Sequence, residues 1–354
     1  MRIVYNSYNG RYADNPRAIY EGLLRRGDDH EHLWLVGDRH RASFPAGVAT
    51  ARIASGEGVA ALESADVLVA NCHTDLDRWQ KRSDTVYLQT WHGTPLKRIH
   101  RAALQTWGDE AMDALDREIA RWDVLLTPSR AGTQLLRSAF GYSGAVLQTG
   151  YPRNDVLLAD DREERRARVR DRLGIAENTT AVLYAPTYRD DDVDSPELTL
   201  GLDPTALADQ LGGSFVLLLR VHYYLGHRAI AANDPRMRDL SGHPDVADLY
   251  LAADVLVTDY SSALFDFAVT GKPILFFAYD LEHYRDRLRG FTLDLEAEAP
   301  GPVLVDQEQL TAALLDLPNV TRSHAARYSR FRERYCHLDD GHATERVLAA
   351  LWPN

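Results

Sequence analysis

The sequence predicts an α/β protein with two doubly wound, Rossmann-like domains that face a cleft. Apolar runs of four to six residues alternate with longer amphipathic segments, which is typical of parallel strands covered by helices. A charged segment near residue 162 interrupts this alternation, which then starts again. The length of 354 residues also corresponds to about two domains. We expect these domains at 1–175 and 176–354.

In the first half, the apolar runs predict strands and the segments between them predict helices. Asn9 and Gly10 break the first strand, and Pro16 opens the first helix because proline fits the first helical turn. The remaining runs lack polar alternation, as expected for strands buried on both faces. The predicted strands start at Val4 and continue at 32–36, 65–70, 85–89, 123–127 and 145–149, with helices at 16–26, 59–64, 109–121 and 131–140.

The second half begins with a segment dense in both charge signs, from Asp160 to Arg166, which predicts a solvated helix with ion pairs one turn apart. Three helical stretches close the chain. We expect the last of them, at about 340–352, to pack back toward the N-terminal domain. The predicted strands are 181–185, 214–221, 254–258 and 273–277, and the closing helices are 307–315, 322–334 and 343–351.

Charge and composition exclude several classes of protein. The formal net charge of −12 disfavours wrapping of duplex nucleic acid, because such binding comes mainly from neutralising phosphates. The two cysteines, Cys72 and Cys336, are too few for a disulfide framework or a zinc-site spacing, which favours a reducing cytoplasmic compartment. The N-terminus lacks a secretory pattern, and no run reaches the roughly 20 apolar residues of a transmembrane helix. We expect a soluble protein or one peripheral to a membrane.

Polar residues follow a buried strand at Asp259, Ser261 and Ser262, just before a predicted helix. Free backbone N–H groups and the helix dipole favour an anion at such a position, and two hydroxyls add donors. The alternative is an ordinary helix cap, since serine is a preferred capping residue. Asp266 lies one helical turn after Ser262, so its carboxylate can reach a hydroxyl of the same ligand.

Two histidines also follow predicted strands. His92 stands on the loop before Gly93, and an imidazole with an ordinary pKa near 6.5 suits proton transfer. Arg220 and His222 are two residues apart at a strand end and therefore point the same way, where two cations would stabilise a leaving phosphate. The alternatives are a locally packed histidine for His92 and surface residues at a frayed strand end for Arg220 and His222.

Two further arginines follow strands, Arg153 after the last strand of the first half and Arg189 after the first strand of the second. Their planar guanidinium groups can clamp phosphates, or they can be structural salt-bridge partners. The acidic runs 190–194 and 75–77 contain the Asp-x-Asp pattern of metal-dependent glycosyltransferases, but we expect no metal. The chain has no P-loop, no G-x-G-x-x-G after its first strand, no H-E-x-x-H and no G-x-S-x-G.

Taken together, these loops resemble the CDP-glycerol glycerophosphotransferase family of teichoic acid synthesis. The resemblance spans nearly the whole chain, and the order of the motifs is as characteristic as the motifs themselves. The matching segments are 7–16, Trp91-His92-Gly93-Thr94-Pro95-Leu96-Lys97, Gly150-Tyr151-Pro152-Arg153-Asn154-Asp155, Ala185-Pro186-Thr187-Tyr188-Arg189, Arg220-Val221-His222, Thr258-Asp259-Tyr260-Ser261-Ser262, Asp266, Gly271-Lys272-Pro273, Asp340-Gly341 and Glu345-Arg346-Val347.

The resemblance implies a glycosyltransferase-B fold with the nucleotide in the second domain. It implies an enzyme without a cofactor that transfers a polyol phosphate, most simply glycerol phosphate, from a CDP-activated donor and releases CMP. The acceptor would be a hydroxyl of a polyprenyl-diphosphate-linked glycan or of a growing teichoic acid or capsule polymer. Such an enzyme works in cell-wall synthesis, in the cytoplasm and peripherally on the inner face of the membrane.

Carried over to this chain, the resemblance makes His92 the general base and His222 the group that stabilises or protonates the leaving phosphate. Ser261 and Ser262 would hold the donor phosphates, and Asp266 the hydroxyls of its ribose or glycerol. The other expected donor-binding residues are Gly93, Thr94, Pro95, Arg153, Pro186, Thr187, Arg189, Arg220 and Asp259.

Two other functions stay open at this point. A nucleotide-sugar glycosyltransferase could use the same architecture, and a non-catalytic binding module could have kept the fold. The motifs begin almost at Met1, which favours a compact transferase that adds a single unit. The residues do not distinguish glycerol from ribitol, a wall polymer from a capsule, or one oligomeric state from another.

Overall fold

A computed structural model describes residues 1–74, 79–103, 108–187, 189, 200–221 and 234–353. In these residues, seven parallel strands form the first sheet in the order β3-β2-β1-β4-β5-β6-β7. Each of its strands has three to six residues, which matches the length of the apolar runs in the sequence. The strands are β1 (Arg2–Asn6), β2 (Glu31–Val36), β3 (Thr50–Arg52), β4 (Val67–Ala70), β5 (Val86–Gln89), β6 (Val124–Thr127) and β7 (Ala145–Gln148).

Four α-helices connect strands of this part, and in the described residues none lies between β2 and β3 or between β4 and β5. The first, α1, starts two residues before the predicted Pro16, and it ends at Gly27, whose left-handed φ of +80° suits a helix end. The helices are α1 (Asp14–Arg26), α2 (Gly56–Glu63), α3 (Asp109–Ile119) and α4 (Arg130–Phe140).

The second sheet has six parallel strands in the described residues, in the order β10-β9-β8-β11-β12-β13. Its six strands follow the same order as the first six strands of the first sheet, 3-2-1-4-5-6, and in both sheets the strand order changes direction beside the first strand. The strands are β8 (Thr180–Ala185), β9 (Phe215–Leu219), β10 (Met237–Asp239), β11 (Val255–Thr258), β12 (Ile274–Phe277) and β13 (Val303–Leu304). The helices are α5 (Arg162–Arg172), α6 (Pro204–Leu211), α7 (Val246–Ala252), α8 (Ala263–Val269), α9 (Leu281–His283), α10 (Leu295–Glu298), α11 (Gln307–Leu315), α12 (Leu317–Tyr335) and α13 (Ala343–Leu351).

The predicted fold class is confirmed, since two parallel sheets with intervening helices form the two halves of the chain. The sequence prediction missed β3, β10 and β13, which have only two or three residues each. Strands this short carry no periodic pattern that a sequence could reveal. In the part of the chain that the structure describes, no helix is both long and apolar enough to cross a bilayer.

Contacts group the chain into two compact units whose segments interleave. The first unit is Met1–Thr94, Thr106–Asp155 and His337–Asn354, and the second is Pro95–Gln105 and Val156–Cys336. The predicted folding domains 1–175 and 176–354 stay a prediction. Two features bear on them: α5 contacts α7 of the second unit, and α13 packs on α1 of the first.

The C-terminal helix α13 is held in the first unit by apolar packing and by a carboxylate. Val347 and Leu348 are buried in the core of the first sheet, beside Ile19 and Leu23 of α1. Asp155 accepts hydrogen bonds from the first backbone N–H groups of the helix, at 2.9 Å from Ala343 and 2.7 Å from Thr344. This arrangement satisfies donors that a helix N-terminus otherwise leaves open.

Candidate active site

Both units place polar side chains at the topological switch point of the sheet, where ligands bind in doubly wound folds. In the first unit, the Asn71 side chain after β4 accepts a hydrogen bond from the backbone N–H of Tyr8 after β1, at 2.9 Å. In the second, the Asp259 carboxylate after β11 accepts one from the backbone N–H of Thr187 after β8, at 2.7 Å. The same link therefore joins two loops at each switch point.

His92 follows β5 and is half-buried in the first unit. Its Nδ1 lies 2.6 Å from the backbone carbonyl oxygen of Asn71. Because a carbonyl oxygen only accepts, Nδ1 carries the proton, and Nε2 of the neutral ring is left with its lone pair. The ring stacks on Trp91 with centroids 4.1 Å apart, which fixes its plane.

The backbone around His92 is strained. Trp91 has a φ of +49°, Tyr8 of +44°, Asn9 of +54° and Asp14 of +63°, all in the left-handed region that non-glycine residues seldom adopt. For a bulky residue such as Trp91 this conformation is a clear outlier. Strained backbone of this kind clusters at functional sites, where the surrounding packing maintains it.

Gly10 explains why the loop after β1 can take this shape. It has a φ of +102°, and a Cβ placed there would lie 2.0 Å from the backbone nitrogen of Gly37. Any other residue would therefore have to displace the loop after β2. The tight turn presents Tyr8 to His92, with ring centroids 5.4 Å apart.

A buried ion pair lies beside His92. Arg153 donates from Nη1 to both carboxylate oxygens of Asp14, at 3.1 and 3.0 Å, and the two side chains are only 9% and 7% exposed. The Tyr8 hydroxyl donates to the same carboxylate at 2.8 Å. Arg153 also lies over the Tyr151 ring, 4.5 Å from its centroid. The predicted phosphate clamp is thus engaged by a carboxylate that the sequence analysis did not single out.

The electrostatics of this cluster favour a neutral His92. Burial is the largest effect and lowers the pKa of His92, and the nearby Arg153 and His73 lower it further. The Asn71 carbonyl and the Asp14 carboxylate oppose this shift. Burial would raise the pKa of Asp14, but Arg153 and the hydrogen bonds outweigh it, so this carboxyl stays ionised. The cluster therefore holds an unprotonated imidazole next to a carboxylate that stabilises its protonated form.

In the second unit, Arg189 is buried in a network of acidic and aromatic side chains. It donates to Asp280 from Nε at 2.8 Å and from Nη2 at 2.9 Å, and from Nη1 to Asp259 at 2.8 Å. The guanidinium also lies over three tyrosine rings at 5.0–5.4 Å, those of Tyr260, Tyr279 and Tyr284. All three guanidinium nitrogens have protein partners, which supports the structural alternative for this residue.

The network anchors the loop that carries the serine pair. Tyr260 is fully buried, and its hydroxyl donates to Asp280 at 2.9 Å. Burial and the Asp280 carboxylate raise the pKa of Tyr260, so it stays protonated and keeps donating. Tyr260 directly precedes Ser261, which places a rigid residue next to two partly exposed hydroxyls.

Ser261 and Ser262 stand at the start of α8, which begins at Ala263 and has seven residues. Ser261 Oγ accepts from the backbone N–H of Ala263 at 3.3 Å, so it caps the helix in part, whereas the Ser262 side chain makes no capping hydrogen bond. Both serines are partly exposed and can donate to a ligand oxygen. Asp266 is buried on the same helix.

Arg220 follows β9 and holds a neighbouring loop. Its Nη1 donates to the backbone carbonyls of Leu240 at 3.1 Å and His243 at 2.9 Å. This residue is partly exposed, and its position at the strand end is as predicted. His222, predicted to point the same way, lies outside the described residues, as do the acidic runs 75–77 and 190–194.

A comparison with known proteins identifies the family. The sequence profile of CDP-glycerol:poly(glycerophosphate) glycerophosphotransferases matches residues 1–353. This chain belongs to that glycerophosphotransferase family. The resemblance inferred from the loop motifs is therefore confirmed, and the prediction of an enzyme is confirmed at the level of the family.

Individual relatives of this family agree. The chain is 36% identical to the teichoic acid glycerol-phosphate transferase of Staphylococcus aureus, over 99% of this chain and 92% of that protein. It is 34% identical to the teichoic acid poly(glycerol phosphate) polymerase of Bacillus subtilis, over 99% of this chain but only 48% of the polymerase, so it spans about half of that protein. A solved H-to-N variant of the wall teichoic acid polymerase TagF with CDPG superposes with a TM-score of 0.90 at 32% identity, over 98% of this chain and 87% of that chain.

The structure brings the predicted residues of this family member into two groups. His92 and Arg153 share the cluster of the first unit, and Thr187, Arg189, Asp259, Ser261 and Ser262 surround the second switch point. Of the remaining predicted residues, Gly93 and Thr94 directly follow His92, while Pro186 directly precedes Thr187. Pro95 lies in the second unit.

Sequence reasoning missed Asp14, Asn71 and Asp280. Asp280 comes three residues after β12, so the rule that ligands and their supports follow strand ends could have found it. Asp14 lay within a quoted motif, but nothing in the sequence pairs it with Arg153, 139 residues later. Among the described residues, no group of three or more potential ligands could hold a metal ion.

Proposed function

We propose that this protein transfers glycerol phosphate from CDP-glycerol to a hydroxyl group of a teichoic acid polymer or of a lipid-linked glycan, and releases CMP. The observation that carries the proposal is the state of His92. A neutral imidazole with Nδ1–H fixed on a backbone carbonyl and a lone pair on Nε2 is what a general base requires. Family membership identifies the donor class.

In the proposed reaction, Nε2 of His92 accepts the proton of the acceptor hydroxyl. The acceptor oxygen forms a bond to the phosphorus that carries glycerol, and the bond from this phosphorus to the bridging oxygen breaks, so CMP leaves with the bond electrons. The Asp14 carboxylate stabilises the imidazolium that forms. Phosphoryl transfer needs mainly positioning and charge stabilisation from the protein, and the residues named here would supply both. His222 remains the predicted group on the leaving phosphate.

The second unit would bind the donor. Ser261 and Ser262 would donate hydrogen bonds to its phosphates, Pro186 and Thr187 would contact the nucleotide, and Asp266 would accept from ribose or glycerol hydroxyls. Arg189 acts as a positioning residue, since its nitrogens hold Asp259 and Asp280. We propose a supporting role for Arg220 as well, in fixing the loop at 240–243.

We also propose that the protein acts at the inner membrane surface, in the cytoplasm, where a lipid-linked acceptor is found. The helix α12 supports this assignment because it carries five arginines against one glutamate, although the whole chain is acidic. Arg322, Arg330, Arg332 and Arg334 are exposed on it. Basic helices of this kind are attracted to anionic lipids. Sedimentation with anionic and neutral vesicles tests this part, and equal binding to both would contradict it.

A donor screen tests the proposed function. We expect CDP-glycerol to bind and to release CMP in the presence of an acceptor, while UDP-N-acetylglucosamine gives neither signal. CDP-ribitol belongs in the screen as a CDP-polyol with a longer polyol chain. The S261A/S262A double variant should lose donor affinity, whereas S329A, an exposed serine of α12, should not. Binding and turnover of the UDP-sugar would support the alternative, a nucleotide-sugar glycosyltransferase, and absence of turnover with every donor would support a binding module.

A further inference from the structure

A cavity in the second unit has no role in the reaction described above. Its volume of about 460 Å³ lies within the range of small-molecule pockets. It is bounded by the segment from α9 to α10 and by one residue from far earlier in the chain. The residues that matter for its chemistry are Arg98, Leu281, Phe291, Leu293, Asp294 and Glu296.

The cavity combines apolar surface with both kinds of hydrogen-bonding group. Arg98 donates from Nε to the Phe291 carbonyl at 3.0 Å, and its two Nη groups contact no other hydrogen-bond acceptor among the described residues. Arg285 at the rim is engaged by Asp286 at 2.8 and 2.9 Å. Arg98, Asp294 and Glu296 thus line the same space as Leu281 and Phe291. Asp294 uses Oδ1 to accept from the Ala297 backbone N–H at 3.0 Å, and Glu296 Oε2 lies 3.6 Å from Arg285, so each carboxylate keeps a second oxygen for a ligand.

The charge of the residues that line the cavity favours a neutral ligand over an anionic one. Two arginines stand against three carboxylates, those of Asp286, Asp294 and Glu296. This excess of negative charge disfavours a polyphosphate chain, because like charges repel at such distances. A neutral ring or chain with several hydroxyls can instead accept from Arg98, donate to the carboxylates and lay its C–H face on the leucines and the phenylalanine. The lining therefore fits a sugar or polyol unit.

The wall of the cavity is tied to the segment that follows His92. The backbone N–H of Arg98 donates to the Gly290 carbonyl at 3.1 Å, and that of Thr292 donates to the Leu96 carbonyl at 2.8 Å. The Thr292 hydroxyl donates to the Pro95 carbonyl at 2.7 Å. A short antiparallel ladder thus fixes the segment 95–98, which starts three residues after the proposed base, on the cavity wall.

The same wall also touches the loop of the donor phosphates. Phe291 stacks against Tyr260 with ring centroids 5.0 Å apart, and Tyr260 directly precedes Ser261. One aromatic ring, that of Phe291, therefore separates the cavity from the serine loop. The wall segment 95–98 continues the chain from the His92 loop. Such a position suits a part of the acceptor that is bound near the reacting hydroxyl without being transferred.

We propose that this cavity binds a neutral polyhydroxylated unit of the acceptor, a sugar ring or a polyol, and so positions its hydroxyl. The proposal rests on the function proposed above, because it assigns a second substrate site to the same transferase. It assigns no proton transfer to any residue of the cavity.

Two variants of the full chain and two matched controls test the proposal. L281W fills the cavity with an indole ring. R98A removes the Nη donors and the Nε hydrogen bond to the Phe291 carbonyl, and it leaves the backbone ladder in place. L315W adds the same ring at an exposed leucine outside the cavity, and R168A removes an exposed arginine of α5. The probes for calorimetry are N,N′-diacetylchitobiose as a neutral disaccharide, a glycerol-phosphate oligomer as a polyanion, and CDP-glycerol.

The disaccharide should bind the parent protein, and its Kd should rise at least tenfold in L281W and in R98A but less than twofold in the controls. CDP-glycerol should bind all five proteins equally, which also shows that the variants are folded. Absence of disaccharide binding, equal binding to all proteins, or tighter binding of the oligomer that depends on Arg98 would each overturn the proposal. A chain that binds the disaccharide as expected but not CDP-glycerol would contradict the proposed function and leave the cavity assignment standing.

Discussion

At both switch points, a side chain after one strand accepts a hydrogen bond from a backbone N–H after the neighbouring strand, but the charges around the two side chains differ. After β4 the linking side chain is Asn71, which is neutral, and the charges nearby, those of Asp14 and Arg153, act on His92. After β11 the linking side chain is Asp259, and its charge is paired with Arg189. In the first unit, the buried charges shift the pKa of His92. In the second unit, the buried charges pair with each other and hold the loops in place.

This difference indicates how each half can contribute to catalysis. Strained backbone surrounds His92, with four non-glycine residues at positive φ in the loops that build the cluster. The serine pair instead stands on a loop without such strain, whose rigidity comes from the Arg189 network. The proposed base thus depends on electrostatics and the proposed phosphate site on fixed hydroxyls, so we expect substitutions in the two units to have different effects.

Removal of the imidazole should give the largest effect. We expect H92A to lower kcat by about 10²–10⁴-fold, the usual contribution of a positioned general base. The Kd for CDP-glycerol should change less than twofold, because the serines proposed to hold the donor phosphates are in the other unit. H342A, which removes an exposed histidine of the first unit, is the matched control for a CMP-release assay. An H92A enzyme with parental turnover would remove His92 from the mechanism.

The second unit should respond to the loss of its buried arginine by unfolding more easily. R189Q leaves Asp259 and Asp280 without their main partner, and removing one member of a buried pair costs about 3–5 kcal/mol of unfolding free energy. R168Q, which breaks an exposed pair, should cost less than about 1 kcal/mol. Urea unfolding followed by circular dichroism measures both. Similar small changes for the two variants would show that the Arg189 network does not stabilise the unit.

The serine pair should affect donor binding and leave the base unchanged. Each hydroxyl that donates to a charged phosphate contributes about 1.5–3 kcal/mol, so S261A and S262A should each raise the Kd for CDP-glycerol about 10- to 100-fold. Because Ser261 is already used in part as a helix cap, we expect the larger loss for S262A. Calorimetry compares the two variants, and an unchanged Kd in both would place the phosphates elsewhere.

Removing either charge of the ion pair beside His92 should shift the pH dependence of kcat, and the two removals should shift it in opposite directions. The proposed mechanism uses His92 in its neutral form, so we expect activity to be lost as the pH falls through the pKa of this residue. The Asp14 carboxylate raises that pKa and Arg153 lowers it. In D14N the acidic limb of the kcat profile should therefore move to lower pH, and in R153Q to higher pH. Shifts in the same direction would show that these charges do not act on the group that titrates.

The sequence predicted the strand ends that carry the site better than it predicted the ion pairs between distant residues. The strand ends are where the apolar runs place them, within one or two residues, because buried parallel strands have an unbroken apolar pattern. For Arg189 the sequence left a phosphate clamp and a structural partner equally open. Only the folded chain brings Asp259 and Asp280 to it, from 70 and 91 residues away. Asp14 was missed for the same reason, since its importance comes from Arg153 and from a positive φ.

The most direct test of this account concerns the tautomer of His92. Nitrogen-15 NMR of the protein with labelled histidine reports which ring nitrogen carries the proton, and H92N identifies the resonance by its loss. We expect a neutral ring at pH 7, protonated on Nδ1, that becomes doubly protonated only in acid. A charged ring at pH 7, or a neutral one protonated on Nε2, would contradict the assignment of His92 as a base.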